Sequence, residues 1–151
     1  MPGMTRWLLQ RYWRLTRALT MGAQGIVTDP AGRVLLVRHG YHPGWHLPGG
    51  GVEFGETLES TVIRELDEEA GIAVEGRPRL LGVYAHFADF PGDHIGVFII
   101  DRWTRSRIPA PNLEIVEHGF FARDMLPVGV TAGTCRRLAE AFDGVPPTVH
   151  W

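Results

Sequence analysis

The segment that most constrains this chain is a short acidic helix. Residues 57–70 (TLESTVIRELDEEA) carry Leu58, Val62 and Leu66 at i, i+4 and i+8, with Thr57 placed as the N-cap and Gly71 as the stop. That apolar stripe must face a core. Glu65, Glu68 and Glu69 stand at i, i+3 and i+4, and such positions share one side of an α-helix. Three carboxylates so placed repel one another. In the last turn they also add to the partial negative charge of the helix C-terminus. A helix selected only for stability carries cations there. On spacing alone two readings are evenly matched: a solvated acidic face, or a site for a hard divalent cation. Mg²⁺ and Mn²⁺ prefer carboxylate oxygens and retain waters for a phosphate substrate.

Composition removes several competing chemistries. The 151 residues suit one domain, and 44% hydrophobic with 21% charged residues predicts a packed core. All 15 basic residues are arginine. Without lysine there is no Walker-type phosphate loop and no Schiff-base chemistry. Ser60 and Ser106 are the only serines, and neither lies in a G-x-S-x-G elbow. The single cysteine, Cys135, can form neither an internal disulfide nor a zinc knuckle. A net charge of -2 gives no reason to expect nucleic-acid binding. The charges are unevenly spread, however. Seven of the 17 acidic residues fall between Glu53 and Glu69, whereas the first twenty residues hold four arginines and no acid.

Along the chain, β-rich runs alternate with few helices, which predicts a mixed sheet covered by helices. Residues 22–28 and 33–39 flank Asp29-Pro30-Ala31-Gly32 and read as a hairpin. Residues 40–51 form a glycine- and proline-rich loop around a short extended piece, Trp45 to Leu47. Strands are expected at 79–88 and 94–102 around a turn at 89–93, and again at 115–121. A last helix is expected at 131–142, capped by Thr131. The arrangement divides into an N-terminal helical extension (1–20), a main domain (21–143) and a C-terminal tail (144–151). Two prolines and a glycine predict little independent structure in that tail. In the extension, Trp7, Leu8, Tyr12, Leu15 and Leu19 recur at helical spacing, with Arg6, Arg14 and Arg17 largely off the stripe. The favoured reading is a helix packed on the domain with its aromatic stripe buried; a homodimer contact comes next, and docking on a membrane surface or partner is the sharper alternative. No segment has signal-peptide character or the length of a membrane span, so a cytoplasmic location is expected.

Residues 50–72, GGVEFGETLESTVIRELDEEAGI, decide between the two readings of the acidic helix. They resemble the signature of the Nudix hydrolase family: Gly, five residues, Glu, seven residues, then Arg-Glu-aliphatic-x-Glu-Glu-x-Gly-aliphatic. Gly50, Glu56, Arg64, Glu65, Leu66, Glu68, Glu69, Gly71 and Ile72 occupy those positions. The flanks agree. WHLPGG precedes the box, and residues 114–127 resemble the family's later Glu-containing loop, aromatic strand and Leu-Pro end, with Phe120 where tryptophan is usual. The resemblance covers roughly residues 21–142.

It implies an α/β fold, the α/β/α sandwich with a mixed β-sheet, and hydrolysis of a nucleoside diphosphate linked to another moiety. Mg²⁺, with Mn²⁺ as substitute, is the implied cofactor. Glu65, Glu68 and Glu69 with the Gly49 carbonyl are the implied metal ligands. Arg64 is the implied orienting arginine, and Glu65 or Glu114 the implied general base. Glu56 is read as a structural partner of Arg64. Beyond the box, Arg38 is a candidate phosphate donor, and Tyr41 and Phe87 are candidates for stacking on a base. The histidines are read as structural or pocket-lining. No subfamily marker is satisfied, so ADP-ribose, nucleoside triphosphates and nucleotide sugars all stay open. A nucleotide-binding sensor, and an interaction module docking through the N-terminal helix, are the competing classes.

Overall fold

The computed structural model describes residues 2–88 and 90–151, with side chains described from Met4 onward. Its elements run α1 (Pro2–Thr16), β1 (Thr20–Val27), β2 (Val34–His39), β3 (Trp45–His46), β4 (Gly49–Gly51), α2 (Leu58–Ala70), β5 (Ile72–Val74), β6 (Arg79–Ala85), β7 (Asp93–Ile100), β8 (Trp103–Arg105), β9 (Ile115–Phe121) and α3 (Ala132–Phe142). The expected turn at 89–93 includes Asp89, which lies outside the described residues, as does Met1 of the extension.

Strand order β4-β1-β7-β6 makes a mixed sheet, because β1 and β7 are parallel from Thr20 beside Asp93 to Val27 beside Ile100 while the outer pairs are antiparallel. A second sheet, β3-β2-β9, is antiparallel, and β5 pairs with β8. The strands are apolar on both faces, as expected when both are covered. Alternate residues therefore feed two cores. Ala23, Val27, Leu35, Phe98 and Ile100 pack with Val62, Leu66 and Ala70 of α2. Ile26, Val34, Leu36, Ile95 and Val97 pack with Leu138 of α3. Helix, sheet, helix is the sandwich that this patterning demands.

Three expectations need correction. The first two strands do not form a hairpin. They pair only at the Thr28–Val34 bridge, then diverge into different sheets. The reason is that β1 spends both edges on β4 and β7, and β2 spends both on β3 and β9. The turn itself is strongly held, since the Asp29 carboxylate accepts from the backbone of Ala31 and Arg33 and from Arg33 Nε.

The stripe of α1 is not buried. Every described side chain from Met4 to Thr20 is exposed, Leu15 at 85%. With α2 and α3 on the two sheet faces, the sandwich offers no third apolar face to cover it.

The tail is docked. Ala85 N–H donates to Val149 O, and Trp151 N–H donates to Ala85 O, so the tail lies parallel to the end of β6. Thr148 and His150 O are held by Arg137 from α3.

Helix α2 begins and ends as its sequence dictates. Thr57 Oγ1 accepts from Ser60 N at 3.1 Å and Ser60 Oγ accepts from Thr57 N at 2.9 Å, a reciprocal cap. Gly71 takes φ 64° and returns its N–H to Asp67 O, a conformation that costs a side chain dearly and glycine little.

Candidate active site

The stripe of α2 that faces the sheet contains Val62, Leu66 and Ala70, and with them Glu65 and Glu69. Glu69 is 4% exposed and Glu65 is 9% exposed. One helix face thus buries hydrocarbon and carboxylate side by side, against the β4 turn. Gly49 N–H donates to Glu69 Oε2 at 2.9 Å. Glu69 Oε1 has no hydrogen-bond partner, and the nearest base, His39 Nε2, is 3.9 Å away. Burial pushes the Glu69 carboxyl up to about 9 against the Gly49 hydrogen bond, and the charges of Glu65, Glu114 and Glu68 push the same way. The Glu65 carboxyl is also raised by burial, against its bond from Arg64. A Cβ at position 50 would displace the Glu65 carboxylate, so glycine there lets β4 and that carboxylate lie in close contact.

Arg64 ties the carboxylates together. Its Nε donates to Glu56 Oε1 at 2.7 Å, its Nη1 to Glu65 Oε1 at 2.7 Å and to Glu68 Oε2 at 3.2 Å, and its Nη2 to Glu56 Oε2 at 3.0 Å. These bonds hold Glu56 down to about 2. Glu56 also accepts from Thr61 Oγ1 at 2.8 Å and from Glu53 N, which makes it a clamp on the start of α2. Glu68 is 57% exposed at the rim. Glu65, Glu68 and Glu69 therefore share a helix side but send their oxygens to different partners. Among the described residues, no three His, Cys, Asp or Glu groups are gathered closely enough to hold a metal by themselves.

Glu114 sits across the cleft in the loop before β9. Gly40 N–H donates to its backbone oxygen, Asn112 Oδ1 accepts its N–H, and its charge acts on Glu65, Glu69 and Tyr41. Beside the acidic wall opens a cavity of about 610 Å³, lined by Gly49, Gly50, His39, Tyr41 and Phe87, among others. Tyr41, Phe87 and Gly49 are thus brought to one cavity. Arg38 is not on its lining: its fork is taken by Glu117 of the neighbouring strand, Nη2 to Oε2 at 2.7 Å.

Sequence reasoning missed several of the lining residues, including Gln24, Arg136 and Trp151. Of the histidines read as structural or pocket-lining, His39, His42 and His46 do line the cavity, with rings 5.6 to 6.4 Å apart on the same wall. Burial and the other two imidazoles push His39 down to about 4, so it faces Glu69 as a neutral ring. No local signal marked Trp151, which reaches the cavity through its pairing with Ala85 and by packing edge-on to His86 at 5.9 Å.

Comparison with known proteins bears on this geometry. A family model described as NUDIX domain matches residues 18–136. The chain is 38% identical over 87 residues to an 8-oxo-dGTP diphosphatase of Proteus vulgaris, covering 54% of this chain and 75% of that protein. It is 37% identical over 98 residues to an ADP-ribose pyrophosphatase of Methanocaldococcus jannaschii, covering 62% and 56%. The crystal structure of a MutT NUDIX hydrolase from Burkholderia pseudomallei superposes with a TM-score of 0.69 at 32% identity, covering 80% of this chain and 96% of that one. Most of the curated relatives are matched over less than two thirds of their length, a Streptomyces ambofaciens MutT-like protein over 42%.

Proposed function

The chain belongs to the Nudix hydrolase family, and from that premise we propose that it hydrolyses a phosphoanhydride bond of a nucleoside diphosphate linked to another moiety, with Mg²⁺ or Mn²⁺. The observation that carries this reading is the buried Glu69 oxygen without a hydrogen-bond partner, set directly behind Gly49 and His39 of the cavity wall. An orphaned carboxylate oxygen at such a depth is costly. An all-oxygen donor set fits a hard cation. Mg²⁺ is bound through one or two carboxylates plus substrate phosphates rather than in an all-protein cage, which suits a site without three converging ligands.

Glu65, Glu69 and the Gly49 carbonyl would hold the cation, with Glu68 at the rim. When bound, a divalent ion neutralises charge on the diphosphate and acidifies water. The chain's own groups do the rest. Arg64 fixes Glu65 and Glu68 in place and carries the charge balance of the wall. With no lysine in the chain, substrate phosphates are held by backbone amides and arginine as well as by the ion. Two carboxylates are placed to take the proton of the attacking water. Glu65 is half-tied by Arg64, and Glu114 is exposed across the cleft. Tyr41 and Phe87, with His150 and Trp151, give the cavity flat faces for a base or sugar. The relatives act on different nucleotides by their names, so the moiety beyond the diphosphate is open to ADP-ribose, nucleoside triphosphates and nucleotide sugars.

A panel of these compounds, incubated with Mg²⁺ and read by product identity, tests the proposal. Nucleoside monophosphate plus a phosphorylated remainder, or pyrophosphate from a triphosphate, is the expected product. No cleavage of any of them at any Mg²⁺ or Mn²⁺ concentration would leave the nucleotide-sensor reading instead.

A further inference from the structure

Helix α1 takes no part in the sandwich or the cavity. Its surface carries one apolar strip. At 100° per residue, Met4, Leu8, Tyr12 and Leu15 fall within an arc of about 80°, whereas Leu9 and Trp13 lie outside it, Trp13 next to Arg6 and Arg17. Arg6, Arg14 and Arg17 fall opposite with Gln10, and Arg11 lies at the border, folded over the Trp7 ring at 4.5 Å. The helix leans on the domain by its arginine side, where Arg14 reaches the Phe54 ring at 5.5 Å. Its apolar side is therefore turned outward. Met4 is 67% exposed, Tyr12 60% and Leu15 85%.

We propose that this face is a binding surface for an anionic lipid bilayer, on which α1 lies in the interfacial plane. The choice of occupant rests on charge. Residues 1–28 contain four arginines and no acid, in a chain whose net charge is -2, so the rest of the molecule is acidic. An anionic surface attracts this helix and repels the body, which orients the molecule with the apolar face down and the domain above. Tyrosine and arginine settle at the level of lipid headgroups, as Tyr12 in the strip and Arg11 at its border would, while Arg6, Arg14 and Arg17 add longer-range attraction. None of these side chains lies in either core, so the face can be altered without touching the fold.

The test is flotation of the full chain with vesicles of phosphatidylcholine alone and with about a third phosphatidylglycerol. Each arginine near an anionic surface is worth roughly a fivefold gain in partitioning. Retention on the phosphatidylglycerol vesicles should exceed that on phosphatidylcholine by at least about tenfold and fall steeply with added salt. The pair Leu8→Ser and Leu15→Ser, which keeps every charge, should reduce it by a similar factor and leave nucleotide hydrolysis and the melting temperature unchanged. Arg6→Ser with Arg17→Ser should remove about half of the salt dependence, two of the four arginines being left. Absence of retention, equal retention on the two vesicle types, or retention unaffected by the leucine pair would overturn the proposal. So would a dimer in light scattering that becomes a monomer in the leucine pair, since that assigns the face to a second copy.

Discussion

Two buried charge clusters sit on opposite sides of the sheet, and they are built to different standards. On α3, Arg137 is fully buried. Its Nη2 donates to Glu140 Oε1 at 2.9 Å and to Thr148 Oγ1 at 3.1 Å, and its Cζ lies 3.8 Å over the Tyr84 ring. Glu140 in turn accepts from the Tyr84 hydroxyl at 2.7 Å and from Thr148 N. Although Arg137 Nε lacks a hydrogen-bond partner, the charge is neutralised and stacked between Tyr84 and Trp151. On α2, burial raises both the Glu65 and Glu69 carboxyls, and Glu69 Oε1 is buried without a hydrogen-bond partner. The closed cluster is a fastening that holds the tail. The incomplete one is the proposed cation site. The lesson is that burial of charge alone does not mark function; the unmatched remainder does.

The comparison can be broken at its closed end. Removing one partner of a buried ion pair costs about 3–5 kcal/mol, because the other is left uncompensated. Arg137→Ala should lose about that much stability in denaturant unfolding and release the tail, which limited proteolysis between residues 144 and 151 would detect. A variant as stable as the parent would mean that the cluster fastens nothing.

A smaller effect separates Glu56, which Arg64 binds, from Glu69, which accepts from Gly49 instead. Glu56 titrates at about 2 in the fold against an ordinary 4.5, so its stabilisation is present above 4.5 and lost as pH falls from there toward 2. Glu69 has the opposite sign. With a folded value near 9, the cation-free fold holds a proton that the unfolded chain has released, so stability falls as pH rises from 4.5 toward 9. Melting temperatures across pH should show a shallower acid limb for Glu56→Gln and a flatter neutral-to-alkaline limb for Glu69→Gln. Identical profiles for both variants would erase the distinction.

Much of this was legible because it is local. The N-cap at Thr57, the stop at Gly71 and the Val62–Leu66 stripe follow from spacing within one helix, and the box places Arg64 beside the glutamates it binds. What escaped was nonlocal. The first two strands look like a hairpin until β7 claims the edge of β1. The tail looks irregular because its order comes from Ala85 and Arg137, far away in sequence. Arg38 has the right chemistry for a phosphate, but a neighbouring strand brings Glu117 opposite it. The stripe of α1 is real, yet no pattern within it says that both sheet faces are already covered.

The central claim is that Glu69 belongs to a cation site that drives hydrolysis. Its most direct test is the Mg²⁺-dependent hydrolysis rate of Glu69→Gln on the best substrate of the panel, measured beside its cation-free melting temperature. A cation contributes several kcal/mol to such a reaction, so the rate should fall by roughly a hundredfold to a thousandfold, while the cation-free variant melts at or above the parent. A variant that hydrolyses at the parental rate with the parental Mg²⁺ dependence would contradict the account.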